Sequence, residues 1–167
     1  VNPPADPAGP APEHLWFFDT LVCIRTGIGS AREGLSLLEH HAACGDSPPL
    51  HVHHTEDEIF YILEGELRFV VGGREYRVAA GETLTAPHGI PHTYRVESVG
   101  GARWLTITQR GDFERFVRRL ARPALQRELP IPGRPPSEAE MAVLVGIAGE
   151  HQIEFRGPPL GAAAAVA

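Results

Sequence analysis

The stretch LHVHHTEDEIFYILEG, residues 50–65, decides how this chain is read. His51 and His53 are two apart, so on an extended strand both imidazoles point to one face while Val52 points to the other. Five residues after His53, Glu58 opens the strongly β-forming run EIFYIL. The polar HTED between them is turn material that can bring a carboxylate back beside the imidazoles. A fourth donor lies in GETLTAPHGIPHTYRV, residues 81–96, where Pro87, Gly89 and Pro91 make a rigid corner that delivers His92 at the start of the next strand. Three His and one Glu form an N3O set suited to one divalent ion, with one or two positions of an octahedron left for water, O2 or substrate. Fe, Mn, Ni, Co and Zn all accept such a set, so the ligands alone do not choose the metal.

Working outward, short runs rich in β-branched and aromatic residues follow one another from Leu15: LWFFDTLVCI, GLSLLEHHA, EIFYIL, ELRFVV, REYRVA, ETLTA, HTYRV and ARWLTIT. Glu64-Gly65, Gly72-Gly73, Ala80-Gly81 and Gly100-Gly101 punctuate them with turn chemistry. This pattern predicts an all-β fold, a small antiparallel β-barrel or jelly roll over residues 14–110. Residues 111–156 then shift to a helical period and predict two C-terminal helices. In the first, Asp112 is the expected cap and Phe113, Phe116, Val117 and Leu120 form the packing stripe. In the second, Ser137 and Glu140 have capping-box spacing ahead of Met141, Leu144, Val145 and Ala148. Residues 1–13 read as an extended Pro-rich arm held against a partner subunit, and residues 157–167 as a low-complexity tail.

The two histidine segments resemble the paired motifs of the cupin superfamily. Gly45, five residues, His51-x-His53, four residues, Glu58, six residues and Gly65 match the first motif. Gly81, five residues, Pro87-x-Gly89, two residues and His92 match the second, across a spacer of 15 residues. Where that second motif often carries Asn, four residues after His92, this chain has Val96. The phrases EIFYILEG and HTYRVE, with the segment GDFERFVRRLARPA, are similar to single-domain bacterial quercetin 2,3-dioxygenase-like cupins. The resemblance implies a metal-dependent dioxygenase acting on a small aromatic or enolisable compound of the flavonol or polyketide type. Two other classes share the same ligands: a non-redox cyclase, isomerase or lyase, and a non-catalytic small-ligand-binding module. Fold alone does not choose among them.

Strand parity assigns further roles. Glu58 is a metal ligand that can also act as a catalytic base toward an acidic substrate hydroxyl. Tyr94, two residues after His92, shares its inward face and is either a substrate-binding phenol or a core aromatic. Phe60 and Ile62 share the parity of Glu58 and are expected as apolar wall that selects substrate by shape. His54 faces away from His53 and reads as surface. His40 and His41 divide between inward and outward faces, and His88 lies in the exposed corner.

Composition limits the partners. The chain has 167 residues with 15 basic and 21 acidic side chains, a formal charge of −6 and a sequence pI near 5.8, which excludes nucleic acid or an anionic membrane as the main partner. All 15 basic residues are Arg, so Schiff-base chemistry and lysine phosphate loops are out. The six arginines from Arg110 to Arg127 are interleaved with Asp112 and Glu114 and read as a solvated helix face. Cys23 and Cys44 are too few for a disulfide framework and read as small core residues. No apolar run approaches the roughly 18–20 residues of a membrane span, and the first residues lack a secretory pattern. The expectation is a soluble cytoplasmic protein, a homodimer, with a small-molecule substrate and O2 as co-substrate if the chemistry is oxidative.

Overall fold

Period-two burial marks β-strands at the centre of the computed structural model, which describes residues 11–30 and 34–161. The strands are β1 (Glu13–Phe17), β2 (Thr20–Thr26), β3 (Ser36–Ala42), β4 (Pro49–His53), β5 (Glu58–Glu64), β6 (Glu66–Val71), β7 (Arg74–Ala79), β8 (Thr83–Ala86), β9 (His92–Val96) and β10 (Ala102–Thr108). After them come α1 (Asp112–Leu120), β11 (Arg122–Pro123), α2 (Glu138–Glu150) and β12 (Ile153–Pro159). β3 and β10 alternate buried and half-buried along their whole length, so each gives one face to the core.

Two antiparallel sheets form a jelly roll. One has seven strands in the order β11-β1-β2-β3-β10-β5-β8, and the other five in the order β12-β4-β9-β6-β7. Between them lies a core containing Phe60, Ile62, Leu67, Phe69, Val96 and Trp104. Phe69 and Trp104 are fully buried, and burial of such a side chain contributes about 1.5–3 kcal/mol. Tight connections keep the sheets in register. Gly65, between β5 and β6, has φ 83°, and a Cβ there would stand 2.7 Å from the carbonyl of Gly101, so only glycine fits this turn.

The helices cover one end of the jelly roll. Phe116 and Val117 of α1 are buried, the latter against Leu15, Val22, Ile24 and Leu38. Phe116, Ala148 and Ile153 join α1, α2 and β12 in a second apolar cluster. The arginines after residue 110 sit on the outer face: Arg115 pairs with Asp112, Arg118 with Glu114 and Glu13, and Arg122 lies 4.6 Å above the Trp16 ring.

Several expectations change at this level. LWFFDTLVCI is two strands, broken at Phe18-Asp19 by a turn in which Phe18 takes φ 52°. Asp112 does not cap α1. The cap position is Gly111 in the left-handed region, and Asp112 is the first helical residue. Ser137 and Glu140 do form the expected capping box at α2, but Val145 is exposed and Ile147 turns inward with Met141, Leu144 and Ala148. Cys44 is exposed while Cys23 is buried. The largest change is β12, which crosses the boundary drawn at residues 156 and 157 and pairs with β4, placing Ile153 beside His53 and Phe155 beside His51. Part of the expected tail therefore belongs to the sheet, as an edge strand where Pro158 and Pro159 need not donate to a further neighbour. Residues 1–10 of the arm and 162–167 of the tail lie outside the described residues.

Candidate metal centre

His51 and His92 face each other directly across β4 and β9, His53 is one pleat further along β4, and Glu58 reaches across from β5 of the other sheet. One donor atom from each of the four lies within 4.8 Å of the others, and all four residues are buried. Glu58 Oε2 is 2.8 Å from His92 Nε2, 3.4 Å from His53 Nε2 and 4.0 Å from His51 Nε2. The structure therefore brings together the four residues expected from the sequence.

Local backbone geometry aims two of the imidazoles. His51 Nδ1 donates to the carbonyl of Pro49 at 2.7 Å, and His92 Nδ1 donates to that of Ile90 at 3.0 Å. Each bond runs two residues back along the chain and turns Nε2, with its lone pair, toward the cluster. Among the described residues His53 has no hydrogen-bond partner on either ring nitrogen although it is only 2% exposed. A buried imidazole left unsatisfied in this way, among two others and a carboxylate, fits a metal ligand. The corner before His92 is itself fixed, because the Gly89 N–H donates to the His53 carbonyl at 2.8 Å and Asp57 accepts from the His88 N–H.

The cluster carries one negative charge at its centre. Burial pushes the Glu58 carboxyl up, but the imidazoles of His53 and His92 outweigh it and hold the group well below the usual carboxylate range. Burial lowers His51 to about 3, with His92 and His53 acting in the same direction, so His51 is neutral. Burial also lowers His92, yet its bond to Glu58 wins and raises it.

The metal cluster opens on a cavity of about 490 Å3. Phe60, Tyr94, Trp104, Phe113, Phe116 and Phe155 make its walls largely aromatic. Pro135, Pro136, Met141 and Leu144 from the C-terminal extension close one side. Phe60 and Tyr94 thus line the space as expected. Burial, with Asp46 and Glu58 adding to it, drives the Tyr94 phenol well above its ordinary value, so it stays protonated and can donate. Ile62 does not line the cavity. It is fully buried in the core with Leu67 and Trp104, because the inward face of β5 deepens from the site at Glu58 into the packed interior. His54 and His88 are exposed and pair with Glu154 and Asp57.

Glu56 and Asp46 were not singled out from the sequence, and of the pair His40 and His41 it is His40 that turns inward. Glu56, inside the HTED turn, is 1% exposed and accepts from the N–H groups of Asp112 and Phe113, giving α1 the cap that Gly111 cannot supply. His40 takes the inward side of β3, stacks on Trp104 with ring centroids 5.2 Å apart, and lines the cavity. Asp46, just after the first motif glycine, lines it as well. For Glu56 and Asp46 the only signal in the sequence is proximity to the motif.

A profile of the cupin domain matches residues 39–108. The barrel is a cupin domain. This cupin is 31% identical over 86 residues to quercetin 2,3-dioxygenase from Bacillus subtilis (strain 168), an overlap of 52% of this chain and 25% of that protein. The matched segments span a quarter to a half of the curated relatives' lengths. Among solved structures, it superposes on a predicted oxalate decarboxylase from Thermotoga maritima with TM-score 0.53, 21% identity and coverage of 59% of this chain and 90% of the other. An RmlC-like cupin from Shewanella frigidimarina gives TM-score 0.51 at 18% identity, covering 60% and 88%. At these identities the two structures speak to the fold of this cupin and to nothing finer. No helix among the described residues is long and apolar enough to cross a membrane.

Proposed function

We propose that this cupin is a metal-dependent dioxygenase for a small aromatic or enolisable substrate of the flavonol or polyketide type. The observation that carries the reading is the meeting of a buried His3Glu set with an aromatic-walled cavity of about 490 Å3, a volume within the range of pockets for drug-sized ligands. The 31% identity over 86 residues to a quercetin 2,3-dioxygenase supports the same class.

His51, His53, Glu58 and His92 would hold the ion, which when bound supplies Lewis acidity and, if redox-active, electron transfer to O2. The remaining work falls to the chain. The walls formed by Phe60, Trp104 and Phe113 stack on a planar ring and exclude water. Tyr94 donates a hydrogen bond to a substrate oxygen. Glu58, its carboxylate turned into the cluster, accepts the proton of an acidic substrate hydroxyl.

The test is elemental analysis of protein purified without chelator or metal column, followed by oxygen-electrode assays with flavonols and polyphenols. Near-stoichiometric Fe, Mn, Co or Ni with substrate-dependent O2 uptake is the expected result. Zinc occupancy with turnover independent of oxygen would replace the reading with a non-redox cyclase, isomerase or lyase.

A further inference from the structure

The cavity wall has a charge asymmetry that the metal ligands do not account for. Arginine supplies all the basic side chains of this chain, yet among the described residues none lines the cavity. Apart from the metal ligands, the ionisable residues on its wall are His40, Tyr94, Asp19 and Asp46. Asp46 stands outside the set of donor atoms that cluster around Glu58. Its backbone is pinned on both sides, the N–H donating to the Ala43 carbonyl at 3.1 Å and its carbonyl accepting from Val96 at 3.0 Å, so the side chain is presented from a fixed point. Its side chain has one hydrogen bond among the described residues, a long one of 3.5 Å from Thr20 Oγ1. Burial, reinforced by Asp19, lifts its carboxyl to about 6, which leaves it mostly ionised and poorly solvated at neutral pH.

A second observation marks this as a surface built for a ligand. His40, which also lines the cavity, is 4% exposed and among the described residues its Nε2 has no hydrogen-bond partner, and the fully buried Trp104 stacked on it leaves Nε1 equally unpaired. Buried polar groups are nearly always satisfied within a protein, and those that are not are often reserved for something that binds. Tyr94 links this wall to the cluster, since its phenol feels both Asp46 and Glu58.

We propose that Asp46 is a specificity-determining residue. It accepts a hydrogen bond from a hydroxyl or amine on the part of an aromatic substrate that lies away from the metal ligands, and it refuses substrates that carry a carboxylate or phosphate there. The inference rests on the aromatic-substrate reading above. Its physical basis is simple: an ionised carboxylate makes a strong acceptor in a poorly hydrated wall, and an anion buried beside it would have no cationic side chain to pair with.

The experiment uses the metal-loaded protein and 3-hydroxyflavone, unsubstituted or bearing a hydroxyl, methyl or carboxylate group at position 4′ or 7, the two ends away from the chelating oxygens. Dissociation constants are measured by fluorescence titration at pH 7.5 for the wild type, Asp46→Asn and Asp46→Leu, with circular dichroism and metal content checked for each. In one of the two series the wild type should bind the hydroxyl derivative at least tenfold more tightly than the methyl one, and the carboxylate at least tenfold more weakly. Asp46→Leu should erase the hydroxyl preference. Asp46→Asn, which keeps the shape and one acceptor oxygen, should relieve the carboxylate penalty, and it decides the matter if the leucine variant does not fold. The same rank order in all three proteins would overturn the role of Asp46 while leaving the aromatic reading intact. Failure of unsubstituted 3-hydroxyflavone to bind the fully metal-loaded wild type would overturn both.

Discussion

Glu56 Oε2 stands 3.9 Å from Nδ1 of His53, and the same carboxylate accepts from the N–H groups of Asp112 and Phe113 at 2.8 and 2.7 Å. One buried side chain thus stands beside a candidate metal ligand, too far for a hydrogen bond, and caps the helix that closes the cavity. Glu56→Ala should cost about 1–3 kcal/mol for each backbone donor left unsatisfied, as read by urea denaturation. It should also weaken metal binding in a competition titration, because the turn between His53 and Glu58 loses its anchor to α1. Unchanged metal affinity in a folded variant would show that Glu56 serves the helix alone.

His51→Ala and His53→Ala each remove one of four donors from a set within 4.8 Å. Either variant should retain its far-ultraviolet circular dichroism and hold less than about a tenth of the wild-type metal after dialysis, since three ligands on a buried site bind far less tightly than four. Full metal content in both would place the ion elsewhere.

Asp46 makes a pH prediction with a definite sign. Its carboxyl rises from 3.8 to about 6 through burial, with Asp19 acting the same way. The folded state therefore binds this proton more tightly than the unfolded chain, so its contribution to stability falls as pH rises from about 4 to 6 and stays low above that. Asp46→Asn removes the titration. The variant should melt at a higher temperature than wild type at pH 7.5, with the gap closing by pH 4. A gap that does not change with pH would rule out burial of this carboxylate as the cause.

Phe60 and Ile62 alternate on the same face of β5, yet only Phe60 reaches the cavity. Phe60→Leu should alter the affinity of aromatic probes several-fold by reshaping the wall. Ile62→Val should cost about 0.5–1.5 kcal/mol in stability and leave probe affinity unchanged. An affinity change of similar size in both variants would mean that the wall extends deeper than the cavity does.

The candidate ligands were legible from residues 50–65 and 81–96 because the spacing within each segment is local, although the two segments meet only across β4, β9 and β5. The spacing of His51 and His53 fixes a shared face, and the carbonyls that orient His51 and His92 lie two residues back in the same strand or corner. The same is true of the capping box at Ser137 and Glu140, where both partners sit within one helical turn. Val145 and Asp112 show the limit of such patterns. Helical spacing names a stripe, but the neighbour on which the helix rests chooses Ile147 over Val145, and a carboxylate from a loop 56 residues earlier caps α1 instead of Asp112.

By itself, then, the sequence determined the period-two strands, the four candidate ligands and the start of the second helix, since each is written in spacings of a few residues, while the meeting of the four across β4, β9 and β5 is tertiary. Tertiary structure decided what the site opens onto. The Gly- and Pro-containing stretch Ile153–Pro159 carries no clear strand pattern and becomes one only because β4 offers it an unpaired edge. Likewise, Asp46, His40 and Leu144 meet around one cavity because two sheets and a returning helix bring together segments about 100 residues apart. No local periodicity encodes that meeting, and it is where the substrate would be chosen.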